Sequence, residues 1–410
     1  MRLLTRRNFL LRASALGCSA AASPLITPVT FASAPWDNRL VVIILRGGMD
    51  GLDVARPYGD PGFAALRAGL APEKELGPRD LDGFYALHPA LTGLRPMWDA
   101  GQLAFAHAVS TPYRDKRSHF DGQDMLEAGG DTVPGVGTAR SGWLNRLLLE
   151  APGHDVRTAF AVGREDLAIL AGEADVSNWA PDARLALSAQ ARRLLELVAH
   201  DDPLFADNAA EAMDLAAAID PDAEVPEDFG DMLQDMSEGV AESRKGKGHV
   251  KLAEFTASQL REDTRIAAFS LNNWDTHRDQ KRLLARSLGQ LEDVLLTLQA
   301  ELGPVWEKTA VVAMTEFGRT ARENGSRGTD HGTGGLMLMA GGAVRGGKVY
   351  GKWPGLGASD LYKERDLLPT EDVRTYAAMA IQGLFGTEQS VLEQTVFPGL
   401  DMGARPNVIL

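Results

Sequence analysis

The sequence of 410 residues predicts an α/β protein with a large, mostly parallel central sheet flanked by helices. Several short runs are apolar throughout, which is typical of strands that are covered on both faces of a parallel sheet. Two of these runs are joined by an amphipathic helix, and a strand–helix–strand succession within one sheet forms a parallel crossover. Apolar residues make up 44% of the chain, which is ordinary for a globular protein with a core.

Composition excludes some function classes. The formal net charge is -14, and the sequence contains no segment rich in Lys and Arg. Nucleic acid is therefore not an expected partner, because phosphate binding needs a basic surface. No apolar segment has the length and flanks of a permanent membrane span, so none is expected.

The first residues predict export rather than folded structure. Thr5–Leu11 reads TRRNFLL, a paired-arginine motif that is followed by an alanine-rich apolar run and by Ala32-Ser33-Ala34. This is typical of a twin-arginine signal over residues 1–34, with the twin-arginine translocase as the export partner and a periplasmic or secreted product. The only cysteine, Cys18, lies within the signal, so no disulfide is expected in the mature chain.

The first strand of the mature chain is predicted at Arg39–Leu45, a run of β-branched and other apolar residues. It stops at a glycine-rich turn, which places Asp50 and Asp53 at the carboxyl end of a strand. A dinucleotide site is excluded here because the turn lacks the GxGxxG spacing.

A second strand is predicted at Leu103–Val109, after a helix over Pro89–Ala100. A further helix should begin at Ser118 and end near Ala128. Ser118 and Asp121 have the spacing of a capping box, which is a structural interpretation. The functional alternative is that Ser118 lies at a helix N-terminus, where backbone donors favour a phosphate or sulfate ester.

A helical insertion is predicted at about residues 182–262 within a single domain of residues 35–410. Residues 141–150 precede it and have a helical pattern. Within the insertion, residues 182–219 are helical by pattern, and residues 220–247 form an acidic and then basic surface excursion. Its last helix is predicted near residues 250–262.

The strand Arg265–Leu271 is followed closely by Asp275 and His277. Two residues apart in an extended segment, these side chains point the same way and are able to hold one cation. An amphipathic helix over Arg278–Glu301 then leads to the next strand. A capping helix is predicted at Thr370–Phe385.

The strands Thr309–Thr315 and Leu336–Ala340 enclose the most polar loop of the chain. This loop carries six polar or charged residues that include the candidate site residues, namely Glu316, Arg319, Arg322, Asn324, Asp330 and His331. Ligands of parallel sheets gather at the carboxyl ends of strands, where Glu316 is predicted to lie. The alternative is that Glu316 and Asp330 are turn or cap residues.

The predicted strand ends bring carboxylates and imidazoles to one edge of the sheet. That mixture is the ligand set of a divalent metal, and the nitrogen donors favour zinc, with manganese or iron as alternatives. A metal would polarise an ester oxygen and activate a serine or water. Arg46, Arg319 and Arg322 are the candidates for holding the anionic part of a substrate.

Four motifs carry a family resemblance: LRGGMDG at Leu45–Gly51, RSHFD at Arg117–Asp121, WDTH at Trp274–His277, and TEFGRT followed by GTDHGTGG. Together they resemble the often twin-arginine-exported family called domain of unknown function fifteen-hundred-and-one. That family is in turn similar to the alkaline phosphatase and sulfatase superfamily.

The resemblance implies a particular set of roles. It implies a nucleophile near Ser118, with His119 as the functional group if Ser118 is only a cap. It also implies these metal ligands: Asp50, Asp275, His277, Glu316 and His331. Glu316-Phe317 departs from the superfamily's Asp-His pair, so a nitrogen ligand is missing or is moved to Asp330-His331. Ser118 also lacks the Cys/Ser-x-Pro-x-Arg setting of a formylglycine sulfatase.

The sequence therefore predicts an exported metal-dependent hydrolase of phosphate or sulfate esters, acting on a small-molecule or glycan substrate. The alternative is a non-catalytic envelope or carbohydrate-associated binding protein that keeps the sulfatase-like fold. Other metal chemistry, such as phosphonate or phosphomutase-like transfer, is a third reading. Metal content separates the first two classes.

Overall fold

Nine strands form one central sheet in the computed structural model, which describes residues 36–70, 79–134, 141–151, 153–163, 167–179, 248–403 and 407–410. The strands are β1 (Arg39–Leu45), β4 (Leu103–Ser110), β5 (Ala159–Val162), β6 (Ser177–Trp179), β7 (Ile266–Leu271), β8 (Thr309–Met314), β9 (Gly335–Ala340), β10 (Lys348–Tyr350) and β11 (Glu371–Asp372). Their order is β10-β4-β9-β8-β1-β7-β5-β6, and β11 also pairs with β4. A separate antiparallel pair joins β2 (Ala55–Arg56) to β3 (Ala86–Leu87).

Helices cover this sheet. They are α1 (Gly51–Val54), α2 (Phe63–Leu66), α3 (Arg95–Asp99), α4 (His119–Ala128), α5 (Trp143–Leu149), α6 (Gly248–Arg261), α7 (Gln280–Leu302), α8 (Val373–Phe385) and α9 (Gln389–Val391). Leu40, Val42 and Ile44 of β1 share a buried cluster with apolar residues of α5 and α8. Since every residue of β1 is buried, its continuous apolar sequence is explained by cover on both faces.

One strand runs against the others. β9 is antiparallel to both β4 and β8, whereas all other pairs of the described central sheet are parallel. The loop over residues 315–334 therefore leaves the carboxyl end of β8 and returns at the same edge of the sheet. The loops that follow β1, β4 and β7 also begin at this edge, because these strands run in the same direction as β8. The four loops therefore lie together.

The predicted fold class, α/β with a large, mostly parallel sheet flanked by helices, is confirmed. The five predicted strands are found within one or two residues of their expected bounds. The predicted helix over Pro89–Ala100 is wrong in its first half, which is a 3-10 segment, Pro89–Leu94, that precedes α3. Leu91 has non-helical φ and ψ of -113° and 16°, and Gly93 and Pro96 both weaken an α-helix here.

Some predictions fall on other parts of the chain. The export signal over residues 1–34, the helical pattern of residues 182–219 and the excursion of residues 220–247 lie outside the described residues. Helix α6 is the described end of the predicted insertion, and it packs against α7. None of the described helices combines the length and apolar character that are needed to cross a membrane.

Candidate metal centre

Asp275, which follows β7, lies at the centre of a cluster of three histidines. His277 Nε2 is 3.1 Å and His331 Nε2 is 3.2 Å from Asp275 Oδ1. His119 Nε2 lies 3.5 Å from the other carboxylate oxygen, Oδ2. The histidines come from three different loops or helix ends, so the topology of the sheet assembles the cluster.

Each imidazole is held through its other nitrogen. His119 Nδ1 is 2.7 Å from Glu316 Oε1, and His277 Nδ1 is 3.2 Å from Asp330 Oδ1. Because carboxylates only accept hydrogen bonds, they place the proton of a neutral imidazole on Nδ1.

His331 is held in the same way by the backbone. Its Nδ1 is 3.0 Å from the carbonyl oxygen of Arg117, which is also an acceptor only. In their neutral forms, all three histidines therefore direct the lone pair of Nε2 toward Asp275. This is how metal-binding histidines are commonly oriented, with a carboxylate or carbonyl behind the imidazole.

Glu316 lies behind His119 and is itself fully buried. Its Oε1 accepts from Gly47 N at 2.9 Å and from Gln123 Nε2 at 3.1 Å in addition to His119. Burial alone would raise the pKa of Glu316, but the hydrogen bonds from His119 and Gln123 hold it below its usual range. Glu316 is thus an ionised carboxylate that fixes His119.

Arg319 holds Asp275 from the opposite side. Its Nη2 donates to Asp275 Oδ1 at 2.6 Å, and the guanidinium also donates to the carbonyl oxygens of Gly47, Gly48 and Thr329 at 2.6, 2.6 and 3.1 Å. The side chain is completely buried. Arg319 therefore ties three loops together, and its donors point at protein oxygens.

Close packing of the loops requires glycine at one of these positions. Gly47 has φ of +124°, and a Cβ there would lie only 2.5 Å from Asp275 N. The left-handed region and the short contact both exclude a larger residue. The glycines of the LRGGMDG motif thus allow the β1 loop to reach Asp275.

The charges of the cluster favour a cation. Asp275 and Glu316 raise the pKa of His119 to about 9. Burial would raise the pKa of Asp275, but the close contact with His119 and the hydrogen bonds from His331 and Arg319 hold it well below its usual range. Hydrogen bonds from Asn324 and His277 lower the pKa of Asp330 as well. Once His119 gives up its proton, three carboxylates against one guanidinium leave two negative charges, which a divalent ion would balance.

The donor set also fits a metal in size. His277 Nε2 and His331 Nε2 are 2.9 Å apart, so these two atoms and Asp275 Oδ1 form a triangle with edges of 2.9 to 3.2 Å. Donors about 2.1 Å from an ion are separated by about 3.0 Å in an octahedron and about 3.4 Å in a tetrahedron. One ligand atom from each of His119, Asp275 and His331 also lies within 4.8 Å of the others.

His119 Nε2 supplies a separate observation. This atom is buried and has no hydrogen-bond partner among the described residues. At 3.5 Å, its approach to Asp275 Oδ2 is a charge contact and not a full hydrogen bond. A buried nitrogen without a partner is costly unless something binds it, and a metal ion at this position would satisfy it.

Asp50 does not lie in this cluster. Its carboxylate accepts from Arg67 Nη1 at 2.5 Å and from Gln280 Nε2 at 2.6 Å, and all three side chains are buried. Asp53 is bonded to the same amide at 3.1 Å. Gln280 Oε1 in turn accepts from Thr276 and Thr329, at 3.0 and 2.7 Å.

Gln280 therefore links the β1 loop to the two loops that carry Asp275, His277 and His331. None of the sequence motifs predicts a role for Gln280. A polar side chain at the start of the buried stripe of α7 was the signal that could have revealed it.

The remaining predicted site residues lie at the edge of the cluster. Ser118 caps α4, because its Oγ accepts from Asp121 N at 3.4 Å. Arg46 Nη1 contacts Glu127 at 2.8 Å and Gln123 at 2.9 Å. Arg322 is exposed and borders a separate cavity.

The family described as Protein of unknown function (DUF1501) matches residues 92–396. The chain belongs to this family. The match covers more than half of the sequence, and it confirms the membership that the four motifs predict. No curated protein matches the chain.

Several solved structures are similar to this chain over most of its length. The lipoteichoic acid synthase LtaP from Listeria monocytogenes is 8% identical, with 88% of this chain and 76% of that chain covered and a TM-score of 0.38. Ps i-CgsB in complex with k-i-k-neocarrahexaose is 10% identical, with 87% and 74% covered and a TM-score of 0.37.

A protein in the alkaline phosphatase superfamily from Vibrio parahaemolyticus is 12% identical, with 83% and 69% covered and a TM-score of 0.31. At these low scores the similarity says nothing about the site, whose assignment depends on its own geometry.

Proposed function

We propose that this chain is a metal-dependent hydrolase of phosphate or sulfate esters. The observation that carries the proposal is the convergence of three histidine Nε2 atoms on the Asp275 carboxylate, each imidazole being held through Nδ1 by an acceptor. An open set of nitrogen and oxygen donors at the edge of an α/β sheet suits catalysis better than a closed structural site.

Four residues would hold the ion: His119, Asp275, His277 and His331. Glu316 and Asp330 would orient two of these histidines, so their role differs from direct ligation. Zinc is the metal that we propose, since imidazole with one carboxylate is a common zinc set, and manganese or iron are the alternatives. When bound, such an ion polarises an ester oxygen and lowers the pKa of a bound water.

The negative charge of the substrate would be bound by an exposed arginine and not by the buried Arg319. The donors of Arg319 are already used by carbonyl oxygens and Asp275, which leaves its role as one of positioning. Arg46 is paired with Glu127. Arg322 is exposed, and among the three predicted arginines it is the one that we assign to the substrate.

We propose water as the attacking group and Ser118 as a helix cap. Within the described residues, no histidine or carboxylate forms a hydrogen bond with Ser118 Oγ, so a base that would activate the hydroxyl is not in place. Its contact with Asp121 N satisfies the helix end.

The motif at residues 1–34 supports a further proposal, export by the twin-arginine translocase to the periplasm or medium.

Metal content and turnover test this function together. Purified protein is analysed for zinc, manganese and iron, beside Asp275→Ala, His331→Ala and the control His249→Ala, a histidine of α6 that contacts Asp293. Aryl phosphates, phosphodiesters and aryl sulfates are then assayed with and without each metal.

We expect near-stoichiometric metal in the wild type and the control, and loss of metal and turnover in the two site variants. A metal-free wild type that turns over none of these esters contradicts the proposal and favours the binding-protein alternative.

A further inference from the structure

A cavity of about 370 Å³ lies beside the metal cluster. Its lining includes Asp330 and Arg365, each of which also holds a histidine of the cluster. Asp330 Oδ1 contacts His277 Nδ1 at 3.2 Å, and Arg365 Nη1 donates to the carbonyl oxygen of His331 at 3.0 Å. The cavity and the cluster therefore share a wall.

Another part of the lining is apolar and belongs to the core. Leu66 and Leu356 line the cavity and are members of one buried cluster, against which Leu361 also packs. Side chains fixed in a core do not collapse readily into a neighbouring space. The apolar part of the cavity is thus preformed, and the cavity volume lies in the lower part of the range of about 300–1,000 Å³ that small-molecule sites have.

A strained turn brings charge to this cavity. Lys363 and Glu364 are consecutive non-glycine residues with φ of 53° and 54°, a conformation that such side chains rarely adopt. The turn places Glu364 and Arg365 on the lining, which also includes Arg322. Two guanidinium groups and several carboxylates therefore line the cavity together with leucine side chains.

The combination of charged and apolar lining residues favours one chemical class of ligand. A polyanion would meet the carboxylates of Glu323, Asp330 and Glu364, and an acyl chain would remove these charged groups from water without offering them a polar partner. A sugar fits both surfaces, because its hydroxyls donate to carboxylates and accept from guanidinium, while its C–H faces pack on leucine. We propose that this cavity binds the sugar part of a glycan ester whose ester group lies at the metal cluster.

The proposal rests on the hydrolase function and is tested by filling the cavity. Ala358 lines the cavity and Ser359, the next residue, does not, so Ala358→Trp has Ser359→Trp as its matched control. Wild type and both variants are first checked for metal content and melting temperature. Then kcat/KM is measured for 4-nitrophenyl phosphate and sulfate and for the 6-phosphates and 6-sulfates of glucose, galactose and N-acetylglucosamine.

We expect Ala358→Trp to lower the ratio of sugar-ester to aryl-ester kcat/KM by about tenfold or more, and Ser359→Trp to leave it near the wild-type value. An unchanged ratio in a metal-loaded, folded Ala358→Trp overturns the sugar subsite and leaves the hydrolase function standing.

A second measurement does not depend on turnover. Saturation-transfer NMR on metal-depleted protein reports whether the three free sugars bind. Transfer that is present in the wild type and Ser359→Trp but lost in Ala358→Trp supports the subsite even if no ester is hydrolysed. Absence of transfer to every sugar in the wild type contradicts it.

Discussion

The Nε2 atoms of His277 and His331 lie 2.9 Å apart. Both rings have an acceptor at Nδ1, so in their neutral forms two lone pairs face each other across this distance. Such a contact is repulsive unless a proton or a metal ion lies between the two nitrogens. The same atoms flank Asp275 Oδ1, which adds negative charge to the position. The pair therefore defines the point at which a cation is needed.

Adding zinc to chelator-treated protein is expected to raise its melting temperature. A ligand at about 100 times its Kd stabilises the folded state by about 2.7 kcal/mol. His277→Ala removes one donor, so it should reduce the shift strongly, whereas His249→Ala should keep it. Differential scanning calorimetry with increasing zinc measures the effect. Equal shifts in the two variants would place the metal elsewhere.

Metal affinity is expected to rise with pH. The ion binds neutral imidazole, and the pKa of His119 is raised to about 9 by Asp275 and Glu316, so below that pH a proton must leave His119 before the ion binds. Isothermal titration of zinc between pH 6 and pH 9, in buffers of different ionisation enthalpy, measures both affinity and proton release. Proton uptake, or an affinity that is flat across this range, would contradict the assignment of His119.

Glu316→Gln should weaken metal binding without unfolding the protein. The amide keeps the shape and can still accept from His119 Nδ1, but it removes the charge that makes this imidazole a strong donor. Loss of such an orienting partner typically lowers metal affinity by about 10–100-fold. Glu292→Gln is the matched control, because Glu292 also accepts from a backbone amide, Gly93 N, at 2.9 Å but belongs to α7. Direct ligation by Glu316 would instead abolish binding.

Much of this site could be predicted from sequence, because its residues follow apolar runs. Asp275, His277 and His331 come together as the strand ends predict. The sequence could not tell a ligand from the residue behind it, since Glu316 and Asp330 have the same chemistry as Asp275. It also could not foresee Arg67, which is distant in sequence and takes both oxygens of Asp50.

The fold, too, could be predicted from the sequence only in part. Long apolar runs such as Leu40–Leu45 of β1 are recognisable, because burial on both faces leaves no polar position in them. Strands of two to four residues, including β5, β6, β10 and β11, carry too few residues for any periodicity. The reversed direction of β9 is likewise invisible in its composition, since a strand reads the same whether its neighbours are parallel or antiparallel.

Gln280→Leu is expected to destabilise the protein and weaken its metal site together. Gln280 is fully buried, and both ends of its amide are used by four side chains of the surrounding loops. Each buried polar group that loses its partner costs about 1–3 kcal/mol. Gln299→Leu, on the same helix, is the control, because Gln299 contacts Gln102 and not the loops. Urea unfolding and zinc titration should both distinguish the variants.

His107 provides a pH dependence that is independent of the metal. It lies in β4 and is buried, with Nδ1 accepting from Ala108 N at 2.9 Å and Nε2 placed 3.2 Å from the carbonyl oxygen of Ala55. The bonds fix a neutral tautomer with its proton on Nε2. Burial lowers the pKa of His107 to about 4, and protonation of Nδ1 would break the bond to Ala108.

Because the folded-state pKa of His107 lies below the unfolded value of about 6.5, its contribution to stability is complete above pH 6.5 and is lost as the pH falls toward 4. The free energy of unfolding should therefore fall there by up to about 1.4 kcal/mol per pH unit from this residue. His107→Asn, which can still accept from Ala108 N, should show a shallower fall despite lower stability at neutral pH. Val109→Ala, in the same strand, should lower stability but stay parallel to the wild type, because it removes no titratable group. Urea unfolding from pH 7 to pH 4 compares the slopes, and parallel curves for the wild type and His107→Asn would contradict a neutral, buried His107.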